Sequence, residues 1–184
     1  MRLPRPISGA VCALFLTGCS FGSQDEAAPS ARGFAVGDEP YAVRAAAAVL
    51  SQGGSAADAA TAMYFTLAVT YPVAAGLGGG GLCTVRDGER TEVFEFLARD
   101  AGGGGAYAVP GSVKGFVALQ GAYGRLPWQR DVAYSEELAT AGFPMSEALA
   151  TRVAAAQDVI RLDAGLAGEF LDESGKAKTA GTRV

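Results

Sequence analysis

Ala75-Gly76-Leu77-Gly78-Gly79-Gly80-Gly81 is the stretch on which the reading of this chain turns. Glycine has no Cβ, so the backbone can take positive φ or pass close to other backbone, at an entropic cost. Glycines clustered between two apolar stretches, 61–73 before and 82–97 after, therefore point to a geometric requirement. Gly76, Gly78 and Gly81 also satisfy G-x-G-x-x-G. That pattern signals a dinucleotide site only when a strand precedes it and a helix follows. The flanks here predict the reverse. Ser55-Ala56-Ala57-Asp58 is a capping-box start for a helix running to about Thr70, and Pro72 cannot continue it. Residues 82–86 alternate and are rich in strand formers, Asp87-Gly88 is a hairpin turn signal, and 89–97 returns as a second strand. Gly76, Gly78, Gly79, Gly80 and Gly81 are thus expected to serve backbone geometry, with at least one at positive φ, and not to hold phosphate.

The helices on either side follow from their caps. Asp38 is expected to cap a helix over 39–51, with Pro40 tolerated in its first turn and four alanines, 45–48, favouring it. Gly53 and Gly54 end it, one of them as the left-handed residue. The helix from Ser55 carries only Thr61 and Thr66 as polar side chains between Ala59 and Val69, so it belongs in a core. It is too short, and carries Asp58 too near its start, to span a membrane. A second loop, 98–106, holds Arg99, Asp100 and four consecutive glycines, 102–105. Ser112 is expected to cap a helix over 113–123. A helix over 129–141 follows Pro127 and closes at Gly142, and Ser146 caps another over 147–160. Residues 162–184 turn polar and give no firm reading.

The 184 residues suffice for one ordinary domain. With 49% apolar and 18% charged residues the chain is a globular body and not a disordered one. A net charge of −4 without a basic stripe argues against nucleic acid as a partner. The chain contains no histidine, which excludes Ser-His-Asp and Cys-His nucleophile systems and removes the commonest zinc ligand. No metal or cofactor is implied.

Residues 1–18 read as a secretion signal. Arg2 and Arg5 form its positive end, and 7–16 is a mostly apolar run too short to span a bilayer. Leu16-Thr17-Gly18-Cys19 resembles a bacterial lipobox, in which the cysteine is lipidated and becomes the first mature residue. The alternative is an ordinary cleaved signal in which Cys19 is incidental. Cleavage removes Arg2, Arg5 and Cys12 and leaves the mature chain more acidic. Cys83 then has no intrachain partner, and its place in a predicted strand suits a small buried hydrophobe. Residues 19–32 form a polar tether and 33–184 the folded domain. The expected location is the bacterial cell envelope, lipid-anchored and facing the periplasm or the exterior.

The order of the short motifs carries more than any one of them. A G-G-x-A-x-D-A-A helix start at 53–60, the glycine loop at 76–81 and an acid-aromatic-x-x-Arg segment at 95–99 come first. V-P-G-x-V at 109–113, Y-G-x-L-P-W at 123–128 and G-F-P-x-S at 142–146 follow. Together they resemble the N-terminal part of the γ-glutamyltransferase (glutathione hydrolase) family, over roughly residues 33–171. The resemblance implies an α+β chain, a partial N-terminal-nucleophile hydrolase large subunit, two stacked sheets between helical layers in the complete fold. It implies action on γ-glutamyl compounds such as glutathione. A precursor cuts itself, and the threonine at the new N-terminus attacks with its own α-amine as base, which suits a site without histidine. That threonine and the small-subunit segment carrying it are expected outside this chain, so no catalytic residue is assigned within it.

The family's arginine that holds the substrate α-carboxylate directly follows an acid-aromatic pair. Here Leu97 follows Glu95-Phe96, and Arg99 comes two positions later. Arg99 is the candidate substrate-binding residue, since a planar guanidinium suits a carboxylate. The bland reading is a surface ion pair. Two rival readings of the whole chain stay open: a non-catalytic lipoprotein that binds a ligand or partner, and a truncated gene remnant.

Overall fold

Glu39, not Asp38, starts the first helix. The computed structural model describes residues 33–102 and 106–184, all within one compact unit of the chain. Cys12, Cys19 and the glycines at 103–105 lie outside the described residues. Helix α1 spans Pro40–Ser51, and the Glu39 side chain accepts the N–H of Ala42 at 3.0 Å. The same carboxylate oxygen accepts the Thr70 hydroxyl at 2.8 Å, and Glu39 is fully buried. A tertiary partner at the far end of the next helix outweighs the local preference for aspartate at a cap. Gly53, at φ 90°, is the left-handed residue that ends the segment.

Helix α2, Ala56–Thr70, opens with the expected capping box. Ser55 Oγ accepts the N–H of Asp58 at 3.1 Å, and the Asp58 carboxylate accepts the N–H of Ser55 at 2.7 Å. Helices α1 and α2 pack through small side chains, Ala45, Ala46 and Val49 against Ala59 and Ala62. The helix is buried as expected, yet its polar residues go deepest: Thr61, Thr66 and Thr70 are fully buried, while Tyr64 and Phe65 are half-buried. Threonine matches valine in shape, and helical hydroxyls can donate to their own backbone. Thr61 does so to Ala57 O at 2.8 Å, and the one proton of Thr70 is shared between Glu39 and Thr66 O, the latter at 3.0 Å.

Strands β1, Leu82–Asp87, and β2, Arg90–Glu95, form the expected hairpin, in register from Leu82↔Glu95 to Asp87↔Arg90. Gly88, at φ 60°, is the first of the two turn residues, the glycine position of a type II′ turn. The inner face carries Cys83, Val85 and Phe94, which pack with Phe96 and Phe116 over α2. Short strands β3, Arg99–Asp100, and β4, Ala108–Val109, pair antiparallel.

Helix α3 spans Ser112–Tyr123. Ser112 is its first helical residue and not its cap; Gly111 holds the cap position without a side-chain bond. Helix α4, Trp128–Ala141, closes at Gly142 with φ 71°, and α5, Glu147–Ile160, is capped by Ser146 as expected. The polar C-terminal stretch, which gave no firm reading in the sequence, forms a helix and a backbone pairing. Asp163 caps helix α6, Ala164–Phe170. The last residues then pair with 143–145: Phe143 and Val184 exchange backbone bonds at 2.9 and 3.1 Å, and Met145 N–H donates to Thr182 O at 2.8 Å. Phe170 and Leu171 complete a core with Leu149, Val153 and Ile160. The helix is only seven residues long and holds two glycines, so its apolar side chains gave too short a run to read before packing. No helix among the described residues is long and apolar enough to cross a membrane.

Two buried carboxylates sit where α2, α3 and α4 meet. Asp58 accepts the backbone N–H of Arg125 at 2.8 Å and of Leu126 at 3.3 Å, and the Gln120 amide at 3.3 Å. Burial pushes its carboxyl up, but the N–H groups of Ser55 and Arg125 outweigh that and hold it below the ordinary aspartate value. Asp131, on α4, is also fully buried, and neither of its carboxylate oxygens has a hydrogen-bond partner. Burial first, then the Asp58 charge, push Asp131 up to about 7.

The folded protein therefore holds a proton on Asp131 that the unfolded chain releases near pH 3.8. Between these values the native state binds more protons, so stability falls as pH rises toward 7, and the full cost of the buried charge is present above it. From pH 5 to pH 8 this amounts to about 1–3 kcal/mol. The depressed Asp58 acts in a separate window, losing its contribution only as pH falls below the usual carboxylate range. Thermal melts should show Asp131→Asn more stable than wild type at pH 8 and the difference shrinking toward pH 5. A difference that does not change with pH would refute the assignment.

Candidate functional site

The glycine loop is tied down from both sides by backbone. Ala74 and Ala75 N–H donate to Tyr71 O at 3.0 and 3.2 Å, turning the chain out of α2. The Tyr64 hydroxyl donates to Gly76 O at 2.6 Å. Gly79 O accepts the N–H of Gly111 at 2.9 Å and of Ser112 at 3.2 Å, and Gly81 exchanges bonds with Phe96 at 3.0 and 3.3 Å. Gly79 O thereby ties the N–H groups of the cap residue Gly111 and the first helical residue Ser112 to the loop. Two of the N–H groups at that helix start, those of Gly111 and Ser112, are thus already bonded.

None of the five loop glycines has positive φ, which corrects the sequence expectation. The requirement is closeness instead. A Cβ on Gly80 would lie 2.4 Å from Ala98 N and 2.6 Å from Phe96 O, and one on Gly111 would lie 2.0 Å from Phe96 O. Gly76 and Gly78 face nothing within 4 Å. The loop thus clamps the end of β2 between itself and the start of α3.

That clamped end leads into Arg99. Its backbone pairs with Val109 in the β3–β4 ladder. Its guanidinium is 75% exposed and pairs with Glu95 at 3.2 Å, itself 53% exposed. Such an exposed pair is worth at most about 1 kcal/mol, so an incoming carboxylate can replace Glu95 at little cost. Leu97 beside it is 46% exposed. The structure therefore brings the glycine loop and the Arg99 corner together.

Other perturbed groups lie outside this corner. Burial pushes the Cys83 thiol up, which keeps it a poor nucleophile. At the hairpin, Tyr123 donates to Glu92; that bond holds Glu92 low, against burial and helped by Arg90, and holds Tyr123 high, helped by burial and opposed by Arg90. The described residues contain no group of three histidine, cysteine or acidic side chains that could hold a metal. Gln120 and Asp131, which stand with Asp58 in the buried polar centre, and Glu39, which ties α1 to the far end of α2, escaped the sequence reading. Asp131 and Ser135 are the buried residues of α4, and polar residues on a core face give no apolar stripe to find.

The family model for gamma-glutamyltranspeptidase matches residues 42–102 and 97–184. The chain belongs to the gamma-glutamyltranspeptidase family. It is 34% identical over 132 residues to a glutathione hydrolase proenzyme of Pseudomonas aeruginosa, covering 59% of this chain and 23% of that protein. It is 30% identical over 192 residues to an acylase ACY 1 proenzyme of a Pseudomonas species, covering 89% and 34%. Among solved structures, the Helicobacter pylori gamma-glutamyltranspeptidase superposes with a TM-score of 0.75 at 24% identity, over 83% of this chain and 50% of that one. The fold is that of the N-terminal-nucleophile hydrolases, present in part. The chain spans about a quarter of the length of the glutathione hydrolase it matches.

The clamp makes Gly80→Ala costly. Forcing atoms into a packed site costs about 1–3 kcal/mol, whereas Gly78→Ala, facing open space, should be close to neutral. Urea unfolding of both variants measures this, and equal midpoints would show that the close approach is not required. NAD or ATP should leave the melting temperature of the wild type unchanged.

Proposed function

We propose that this chain is the front part of an enzyme that transfers or hydrolyses γ-glutamyl groups of compounds such as glutathione. The family match across both halves of the described domain carries the reading. The nucleophile is a threonine on the family's small-subunit segment, beyond these 184 residues. Thr61, Thr66 and Thr70 are buried within α2, and Thr84 and Thr91 stand in the hairpin. Exposing an α-amine at any of them would cut the helix or the sheet. In the complete enzyme the α-amine of the nucleophile removes its hydroxyl proton, the oxygen attacks the γ-carbonyl, and the amine leaves protonated. Arg99 holds the donor α-carboxylate in exchange for Glu95.

A second reading concerns the acyl group. Leu97 stands where the family's arginine directly follows the acid-aromatic pair, and the acylase relative is matched over 89% of this chain. An apolar residue there favours an acyl group without an α-carboxylate.

Kinetics on γ-glutamyl anilide and on a simple butyryl anilide separate the two. The 184-residue chain alone should turn over neither. In the completed enzyme, Arg99→Ala should weaken the γ-glutamyl donor by about 1.5–3 kcal/mol, the range for a charge-assisted hydrogen bond, seen as a raised KM. Leu97→Ala should change it little. Faster turnover of the butyryl substrate, with Arg99→Ala silent, would select the acylase reading.

Cys19 carries the membrane anchor in this proposal and places the enzyme on the bacterial cell envelope, facing the periplasm or exterior. The Leu16-Thr17-Gly18-Cys19 run behind Arg2 and Arg5 supports it. Palmitate labelling should mark the wild type and not Cys19→Ser; equal labelling of both would dismiss the anchor.

A further inference from the structure

We propose that Asp131 and Asp58 share one proton, and that this proton latches the start of α4 onto α2, so that its loss releases α4 locally while the rest of the domain stays folded.

Asp131 lies in the first turn of α4 and Asp58 in the first turn of α2, and both are fully buried. Two carboxylates side by side in an interior do not both stay ionised. Asp58 is the one equipped to carry the charge. Its Oδ2 accepts the N–H groups of Ser55, Arg125 and Leu126, while its Oδ1 holds only the long Gln120 contact at 3.3 Å. Oδ1 therefore has a lone pair to spare. Asp131 faces the Asp58 and Gln120 side chains, but Gln120 spends its amide hydrogens on Asp58 and on Leu126 O. Both Asp131 oxygens are left without a partner. A proton on Asp131, donated to Asp58 Oδ1, satisfies both groups at once, and its titration belongs to the pair.

No counter-charge stands in for that proton. The charged residues around Asp131 are Arg44 on α1, Asp58 on α2, Arg125 in the turn after α3, and Arg130 and Glu137 on α4 itself. The Arg44 guanidinium lies over the Tyr41 ring at 4.6 Å, Arg130 bonds to Gln52 at 2.7 Å, and Arg125 reaches the pair only through its backbone N–H. A groove of about 440 Å³ between α1 and α4 runs beside Asp131 and gives the released proton a way to solvent. The pair then carries two negative charges instead of one. Asp58 is held by Ser55, by Gln120 and by the 125–126 turn, whereas α4 starts at Pro127 without a side-chain cap. The start of α4 is thus the part that yields. Its first residue, Trp128, is the chain's single tryptophan and meets Phe65 of α2 edge-on at 5.3 Å, so it reports the movement. The chain has no histidine, the side chain that ordinarily titrates near neutral pH, to mask the event.

The test uses the 184-residue chain. As pH rises from 5 to 8, Trp128 emission should move to longer wavelength with a midpoint of about 7, at constant far-UV circular dichroism. The amides of 128–131, corrected for intrinsic rates, should exchange about tenfold faster at pH 8. Asp131→Asn keeps a donor toward Asp58 and cannot ionise, so its emission should hold the short-wavelength value throughout. Carbon-13 spectra of the wild-type side-chain carboxyls should show Asp58 and Asp131 moving together in that same step. An Asp131 that titrates while Asp58 stays still is an isolated buried acid and overturns the sharing. Carboxyls that titrate with unchanged emission and exchange overturn the latch. Loss of the far-UV signal along with the emission shift would mean global unfolding and overturn local release. Suppression of the shift at pH 8 by calcium chloride, but not by sodium chloride of equal ionic strength, would put a cation in the proton's place and overturn the proposal as well.

Discussion

The buried Asp58 carboxylate is the interaction on which this domain depends most. It closes the start of α2 through Ser55 and takes the N–H groups of Arg125 and Leu126 in the α3–α4 turn. One charge thus satisfies donors on two separate segments that would otherwise be orphaned in the interior. Without it, α2 would fray at its start and the α3–α4 turn would lose its anchor on the α1–α2 pair. Gln120 braces both, donating to Asp58 and to Leu126 O at 2.7 Å. The unpartnered Asp131 beside this network is tolerated because it can keep its proton.

Around that centre the chain relies on close backbone approach more than on large side chains. Alanines carry the α1–α2 contact, and threonines stand in for valines while bonding to their own helix. Gly80 and Gly111 let the backbone at Phe96–Ala98 pass between the loop and α3, where a methyl group would collide with main-chain atoms. The Phe96 ring itself rests against Phe116, at 5.4 Å between centroids. This clamp delivers Arg99 to an exposed corner on a short, paired strand instead of a free loop. The position of Arg99 is thus set by the scaffold, and only its side chain is left to be ordered.

The bare surfaces belong to the same picture. Leu82 and Val93 are 60% and 63% exposed on the outer face of the hairpin. A sheet with apolar residues on both faces needs cover on both. Here the inner face lies on α2 and α3, and the outer face is left bare.

Much of this was legible in local sequence, because local physics decides it. The capping box at Ser55, the hairpin turn at Asp87-Gly88, the stop at Gly142 and the cap at Ser146 each depend on residues within about one turn of one another. The loop's position between helix and strand, and hence the exclusion of a dinucleotide fold, followed from the same signals. Tertiary structure decided everything that required a partner far away in sequence. Glu39 displaced Asp38 as a cap because Thr70 waits for its carboxylate. Ser112 lies inside its helix, with Gly111 at the cap position and both their N–H groups bonded to the Gly79 carbonyl. The loop glycines were needed for closeness and not for left-handed dihedrals, since sequence shows the absence of a Cβ but not what would strike it. The C-terminal stretch gained its order from Phe170, Leu171 and a backbone ladder to 143–145, contacts that no local pattern announces. Asp131 reached a pKa near 7 only because folding buried it beside another carboxylate.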